Sequence, residues 1–308
     1  MTRSTLTLNT FEKMSCPVCV VGEPARIHRA HEMLLGTRDS FNYAECLGCG
    51  SLWLVDPPGD MGRYYPPAYI PFADTTSVDS GPKLLAKKAM TDLVAKGIIR
   101  RRRHWTYTLY LAGARKWHRI LDVGSGSGAF LTMLHQRGYT NVTGVDPFAE
   151  PRPFTHKGTI EDVRGKFDLI FFNDSLEHVP NPRTTLSCAS RRLTDEGRII
   201  VKVPVADSHA WRVYGTNWFQ LDAPRHFTVP TRNGIGIMAK VSGLEIAKAV
   251  DDSTAMQFWA SELYRQDIAF TENHGFGQQR IEAWERESDI LNRRHEGDHS
   301  IFVLTSGA

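Results

Sequence analysis

Three glycines within five residues constrain this chain most. In Ile120-Leu-Asp-Val-Gly-Ser-Gly-Ser-Gly128 an apolar run gives way to Gly124, Gly126 and Gly128. Ile120–Val123 reads as a short buried strand. Ala129–Arg137 carries Phe130, Leu131 and Leu134 at helical spacing before Gly138 stops it. Strand, glycine loop and helix make the first half of a nucleotide-binding α/β unit. Glycine lets the backbone turn tightly and approach a ligand closely.

Two ligand classes use such a loop. A pyrophosphate wants bare amides at a helix N-terminus. Asp122, two residues before the first glycine, would repel it but suits a ligand with a positive charge, such as the ammonium of S-adenosylmethionine. A second strand, Val142–Asp146, ends in an acid 18 residues after Gly128, where a carboxylate can hold both ribose hydroxyls. A third segment follows, Lys166-Phe-Asp-Leu-Ile-Phe-Phe172, leading into Asn173-Asp-Ser-Leu-Glu-His178. The glycine pattern alone also fits a loose dinucleotide motif; the ordered set of three segments does not favour that oxidoreductase reading.

These three pieces resemble the class I S-adenosylmethionine-dependent methyltransferases. The similarity rests on Leu121–Gly128, Gly144-Val-Asp146 and Phe167–Pro180. It implies an α/β fold with a Rossmann-like seven-stranded sheet, parallel but for one antiparallel hairpin. Strands are expected at Ile120–Val123, Val142–Asp146, near Gly158–Asp162, Leu169–Phe172, Arg198–Val203, Leu244–Ala249 and Ser300–Leu304, with Leu193–Gly197 as a helix end and turn. Cofactor contacts are expected from Asp122, Gly124, Gly126, Gly128, Asp146 and Pro147. The resemblance adds Ile160 and Glu161 beside the adenine and Asn173 under the methionine part.

The N-terminal segment carries a second signal. Cys16-x-x-Cys19 and Cys46-x-x-Cys49 are separated by 26 residues that hold two plausible short strands. Two such knuckles supply four thiolates for a tetrahedral, structural zinc ion. His28 and His31 between them are at best spare ligands. Paired CxxC motifs fit a reducing, cytoplasmic compartment better than disulfides. The default for Cys188 is a buried structural thiol. The chain is also similar to a methyltransferase subset with an N-terminal zinc ribbon, a proline pair (Pro57, Pro58) and a Tyr-Tyr segment. That similarity raises Tyr64, Tyr65 and Tyr69 as substrate contacts, against the plainer role of anchoring the linker.

At 308 residues the chain has room for about two domains of ~150 residues. The expected division is a ribbon and linker over 1–75, a helical connector over 76–118, and a methyltransferase domain over 119–308 with a helical insertion over about 251–299. A formal net charge of +3 does not mark a nucleic-acid binder. Arg100–Arg103 could grip phosphate, but one short basic run is more often a solvated helix face. No run reaches the ~18 apolar residues of a membrane span, and Met1–Thr10 lacks the apolar core of a secretion signal.

Chemistry is expected at two places. Glu177-His178 follows the fourth strand, at the edge where ligands of open α/β sheets bind. Trp218-Phe-Gln-Leu-Asp-Ala-Pro-Arg-His226 crowds aromatics, an acid, an arginine and a histidine into one loop. The zinc-ribbon subset has a similar pattern at Trp218, Asp222, Pro224, Arg225 and His226. Methyl transfer needs a base, and neutral histidine suits that role near pH 7. His226 is the first candidate, with Glu177, His178 or Asp222 beside it. The alternative is that Arg225 and His226 only fix the loop. The insertion is expected to cap the acceptor site, with a homodimer surface as its competing role. The subset's association with glycan and secondary-metabolite pathways implies a small, glycosyl or sugar-nucleotide acceptor. An RNA methyltransferase and a non-catalytic cofactor-binding scaffold are the alternatives.

Overall fold

The computed structural model describes residues 15–20, 24–66, 80–99, 106–150 and 152–307. Tyr69 and Arg100–Arg103 lie outside the described residues. The strands in chain order are β1 (Pro24–His31), β2 (Ser40–Cys46), β3 (Leu52–Leu54), β4 (Ile120–Val123), β5 (Val142–Asp146), β6 (Thr155–Lys157), β7 (Phe167–Asn173), β8 (Leu193–Pro204), β9 (Thr228–Val229), β10 (Leu244–Asp251) and β11 (His299–Ser306). The α-helices are α1 (Gly81–Ala95), α2 (Thr106–Ala112), α3 (Ala129–Gln136), α4 (Pro182–Ser190), α5 (His209–Tyr214), α6 (Arg232–Val241), α7 (Met256–Arg265) and α8 (Gln278–Arg294).

Seven strands form one sheet in the order β10-β11-β8-β7-β4-β5-β6. β4 pairs in parallel with β5 on one side and with β7 on the other. β5–β6 and β7–β8 are parallel as well, whereas β11 runs antiparallel to both β8 and β10. The centre is apolar for a physical reason. Parallel strands covered on both faces read as continuous hydrophobic runs, and Leu169, Ile170, Phe171 and Phe172 of β7 are all buried. Strand order reverses between β4 and β7 while strand direction is kept, so their carboxyl ends frame the crevice where open α/β sheets bind ligands.

Two expectations about elements are corrected. The third strand is Thr155–Lys157; Gly158 and Thr159 follow it in a turn-rich segment. It is a three-residue edge strand with one buried residue, so it carries no apolar run to find. Leu193–Gly197, expected as a helix end and turn, is the first part of β8: Leu193 already pairs with Phe167, and a register irregularity separates that pair from Leu169–Arg198.

A second sheet, β1-β2-β3-β9, is antiparallel throughout. Its first two strands fill the stretch between the cysteine pairs, and the β1–β2 hairpin brings the knuckles together. Its fourth strand comes from the loop that follows His226.

Candidate active site

Two cavities open at the switch between β4 and β7. The first, about 450 Å³, is lined by Gly124, Gly126, Asp146, Pro147, Ile160 and Glu161, together with Tyr65, Phe148, Asp174 and His178. Gly124 has φ 77° and Gly128 φ 73°. A Cβ on Gly124 would stand 2.4 Å from Ser175 Cβ, and one on Gly128 2.6 Å from Thr155 Oγ1. The loop therefore needs glycine for both backbone shape and space. Asp146 is set by backbone amides: Gly126 N donates to Oδ2 at 3.0 Å and Phe148 N to Oδ1 at 2.8 Å. Each oxygen keeps capacity to accept a hydroxyl.

Of the expected cofactor residues, Asp122, Gly128 and Asn173 stand behind the cavity wall. Asn173 Nδ2 donates to Asp122 Oδ1 at 3.1 Å. Burial pushes the Asp122 carboxyl up to about 7, and Asp146 adds to this against the Asn173 bond. Gly128 begins α3.

The second cavity, about 390 Å³, shares Asp174 and His178 with the first. Its lining also includes Glu177, Asp222, His226, Gln220 and Phe219, together with Lys202, Asp252, Ser253, Thr254, Gln257, Asp298 and His299. All four expected catalytic residues thus stand around one space. Glu177, His178 and His226 offer ligand atoms within 4.8 Å of one another.

His226 is buried, and its Nδ1 lies 2.8 Å from Gln220 O. A carbonyl accepts only, so Nδ1 carries the proton and the Nε2 lone pair faces Glu177 Oε1 at 3.9 Å and Asp222 Oδ2 at 3.8 Å. Burial and the neighbouring His178 push His226 down to about 3, so the ring is neutral. Burial and Asp174 push Glu177 up to about 8. Its Oε2 has no hydrogen-bond partner among the described residues. His178 Nδ1 is 2.9 Å from Arg225 O and 3.2 Å from Tyr65 Oη.

Asp222 is bound to Arg225, which donates from Nε to both carboxylate oxygens at 3.0 Å and from Nη2 to Oδ1 at 2.6 Å. Against burial, that guanidinium keeps Asp222 below the usual carboxylate range. Arg225 Nη2 also donates to Glu32 Oε1 at 2.8 Å, and all of the Arg225 side chain is buried. Tyr64 donates to Asp39 at 2.8 Å, on the ribbon side, while Tyr65 lines the first cavity. Cys188 is buried.

Four residues of the site were not foreseen: Asp174, Lys202, Asp252 and His299. His299 Nε2 lies 2.5 Å from Asp174 Oδ1, and its Nδ1 lies 2.7 Å from Asp252 Oδ1. Lys202 Nζ donates to Asp174 Oδ2 at 3.2 Å. Two carboxylates facing both ring nitrogens require two N–H donors, so His299 is an imidazolium. Burial alone would lower it, but Asp174 and Asp252 push it up to about 10. Against burial, Lys202 and His299 hold Asp174 well below the carboxylate range. Asp174 has φ 53°, a left-handed backbone that a non-glycine residue keeps only when its surroundings hold it. One signal could have found all four. β7, β8 and β10 end at the same sheet edge where antiparallel β11 begins, and each residue sits at or beside one of those ends.

The four cysteine sulfurs also lie within 4.8 Å of one another. Cys16–Cys49 Sγ atoms are 3.6 Å apart and Cys19–Cys46 3.5 Å. Zinc–sulfur bonds of about 2.3 Å in a tetrahedron put sulfurs ~3.8 Å apart, so the cluster fits a four-thiolate zinc centre. His28 and His31 are elsewhere: His28 Nε2 pairs with Glu45 at 2.9 Å, and His31 Nδ1 lies 3.2 Å from Arg38 O.

The sheet order, the glycine loop and the acid ending β5 define a class I S-adenosylmethionine-dependent methyltransferase architecture. A methyltransferase-domain family model matches residues 89–249, just over half of the chain, and the chain belongs to that family. It is similar to the ubiquinone biosynthesis O-methyltransferase of Pseudomonas aeruginosa (strain UCBPP-PA14), with 26% identity over 42% of this chain and 65% of the relative. It resembles the protein of the same name from Dechloromonas aromatica, with 29% identity over 27% of this chain and 43% of the relative. The chain spans less than two thirds of the length of these relatives. Among solved structures it resembles the Burkholderia thailandensis 1,6-didemethyltoxoflavin-N1-methyltransferase (TM-score 0.43, 14% identity, 76% of this chain and 94% of the other). It also resembles a mycolic acid cyclopropane synthase (TM-score 0.45, 16% identity, 76% and 92%).

Proposed function

We propose that this protein moves a methyl group from S-adenosylmethionine to a hydroxyl-bearing small molecule, a glycosyl or sugar-nucleotide compound. The observation that carries this reading is the junction of the two cavities at Asp174 and His178. A donor in one and an acceptor in the other would meet there.

S-adenosylmethionine, when bound, supplies a sulfonium methyl that is already electrophilic. The protein's work is to align the partners and to take up a proton. Asp146 would hold the ribose hydroxyls, with Pro147, Ile160 and Glu161 around the adenine. Gly124 and Gly126 leave room at the loop, with Gly128 opening the helix behind it. Asp122 and Asn173 would support the methionine end from behind. His226 Nε2 would accept the acceptor's proton. The protonated Glu177 carboxyl, the ionised Asp222 and the neutral His178 would set the field around it. Gln220, Ser253, Thr254 and Gln257 add neutral donors and acceptors to the lining, which suits several hydroxyl groups. Asp252, Ser253, Thr254, Met256 and Gln257 belong to the expected insertion, which supports its reading as the cap. The relatives named above are O-methyltransferases, which supports oxygen as the acceptor atom. The four cysteines would carry a structural zinc ion, and paired CxxC thiolates used for metal fit a reducing, cytoplasmic setting.

The test incubates the protein and methyl-labelled S-adenosylmethionine with separated fractions of sugar nucleotides, lipids, polysaccharide, RNA and protein. Label should enter the sugar-nucleotide or glycan fraction. With His226→Gln it should fall by about a hundredfold or more, with affinity for S-adenosylhomocysteine retained. Label confined to RNA or protein overturns the acceptor assignment; undiminished label with His226→Gln overturns the assignment of the base.

A further inference from the structure

The ribbon sheet takes its last strand from the candidate catalytic loop. β9 begins two residues after His226 and pairs with β3 through Leu52–Val229 and Trp53–Thr228. Leu54 N donates to Phe227 O at 2.9 Å. Tyr43 of β2, with no solvent exposure, donates its hydroxyl to His226 O at 2.8 Å. Glu32, equally buried at the end of β1, accepts from Arg225 and from the Leu35 and Thr37 amides at 2.8 and 3.0 Å. Thr231 joins the loop to the second cysteine knuckle: its Oγ1 donates to Cys49 O at 2.6 Å, and its N to Ser51 Oγ at 3.1 Å. Ser51 Oγ in turn lies 3.3 Å from Cys49 Sγ. The loop over 222–231 is therefore held by the ribbon along its length. The cofactor cavity, apart from Met61, Tyr65 and Phe227, is built on the seven-stranded sheet and its loops.

We infer that the metal-holding ribbon is one wall of the acceptor site: Glu32 and Tyr43 are positioning residues for His226, and metal in the four-cysteine centre governs methyl transfer without governing cofactor binding. Zinc bound by Cys16, Cys19, Cys46 and Cys49 fixes the knuckle that Thr231 grips and the hairpin that carries Glu32 and Tyr43. Without it, the loop loses its outer support while β4, β5 and β7 keep theirs. The inference rests on the reading of His226 as the base, but its structural half can be measured with no acceptor at all.

The experiment uses the full-length, metal-loaded protein, its chelator-treated form, and Tyr43→Phe, which removes one hydroxyl. Three readouts are taken: calorimetric affinity for S-adenosylhomocysteine, amide hydrogen exchange over 222–231 against 120–146, and label transfer in the fraction that supports turnover. In Tyr43→Phe and after chelation, exchange over 222–231 should rise about tenfold or more, as expected when a buried carbonyl loses its partner. Exchange over 120–146 and the S-adenosylhomocysteine affinity should stay within about twofold. Transfer should fall in kcat with KM for S-adenosylmethionine unchanged. Glu32→Gln, which keeps one acceptor oxygen, should retain more transfer than Glu32→Ala. Unchanged exchange over 222–231 overturns the inference, as does S-adenosylhomocysteine affinity that falls in step with transfer. If no fraction supports turnover, exchange and affinity still decide between these outcomes, and the failure belongs to the proposed reaction instead.

Discussion

Replacing His299 by glutamine perturbs a charged cluster in the second cavity. Its imidazolium joins Asp174 to Asp252 at 2.5 and 2.7 Å. The gap between an ordinary 6.5 and about 10 corresponds to about 4–5 kcal/mol in favour of the charged ring. Nearly half of the Asp174 side chain meets solvent, 48% against 9% for His299, and screening reduces the figure to about 2–3 kcal/mol. The sign follows from the raised folded-state value. The contribution is present in full below about pH 6.5 and is lost as pH rises through about 10. Urea unfolding of wild type and His299→Gln at several pH values isolates it from other groups that titrate in alkali. Wild type should be more stable by about 2–3 kcal/mol at pH 6, with the gap closing to under ~1 kcal/mol near pH 11. A gap that stays constant over that range, or one absent at pH 6, refutes the charged bridge.

Two further substitutions probe buried acids with the opposite sign. Asp122→Asn keeps an acceptor for Asn173 and removes a carboxyl that burial pushes up to about 7. The wild-type cost grows as pH rises from about 4 to about 7, so the variant should gain about 1–3 kcal/mol at pH 8 and nothing near pH 4, read by thermal unfolding without cofactor; a loss of stability at pH 8 contradicts the assignment. Glu177→Gln should behave likewise, with its gain reached only above about pH 8; a gain already complete at pH 5 would show that Glu177 is ionised there in the folded protein.

The parts that were legible in the sequence have local causes. β4 was found because its buried apolar residues lead straight into the glycine loop, β5 because Val142 and Val145 lead into an acid at the expected distance, and the glycine loop because backbone shape and space at Gly124 and Gly128 admit little else. The cysteine pairs are close in sequence, so their geometry is nearly fixed by their spacing. β6 escaped because a polar edge strand of three residues has no such run. The Asp174–His299 pair escaped because its members lie 125 positions apart and meet only through the strand order of the sheet. Fixing the loop was among the roles open to Arg225, but the partner it uses escaped for the same reason. Its partner Glu32 lies 193 positions away, in a hairpin whose docking on the loop no local pattern encodes. Even β9, which ties the loop after His226 to the ribbon sheet, is only two residues long.

The central claim is that the cavity around Asp146 holds S-adenosylmethionine for transfer at the Asp174–His178 junction. Calorimetric titration of the protein with S-adenosylmethionine, wild type beside Asp146→Ala, tests it most directly. Wild type should bind one equivalent. The variant should bind at least about a hundredfold more weakly, since two hydrogen bonds to a carboxylate are lost. No binding to wild type, or equal binding to Asp146→Ala, would contradict the account.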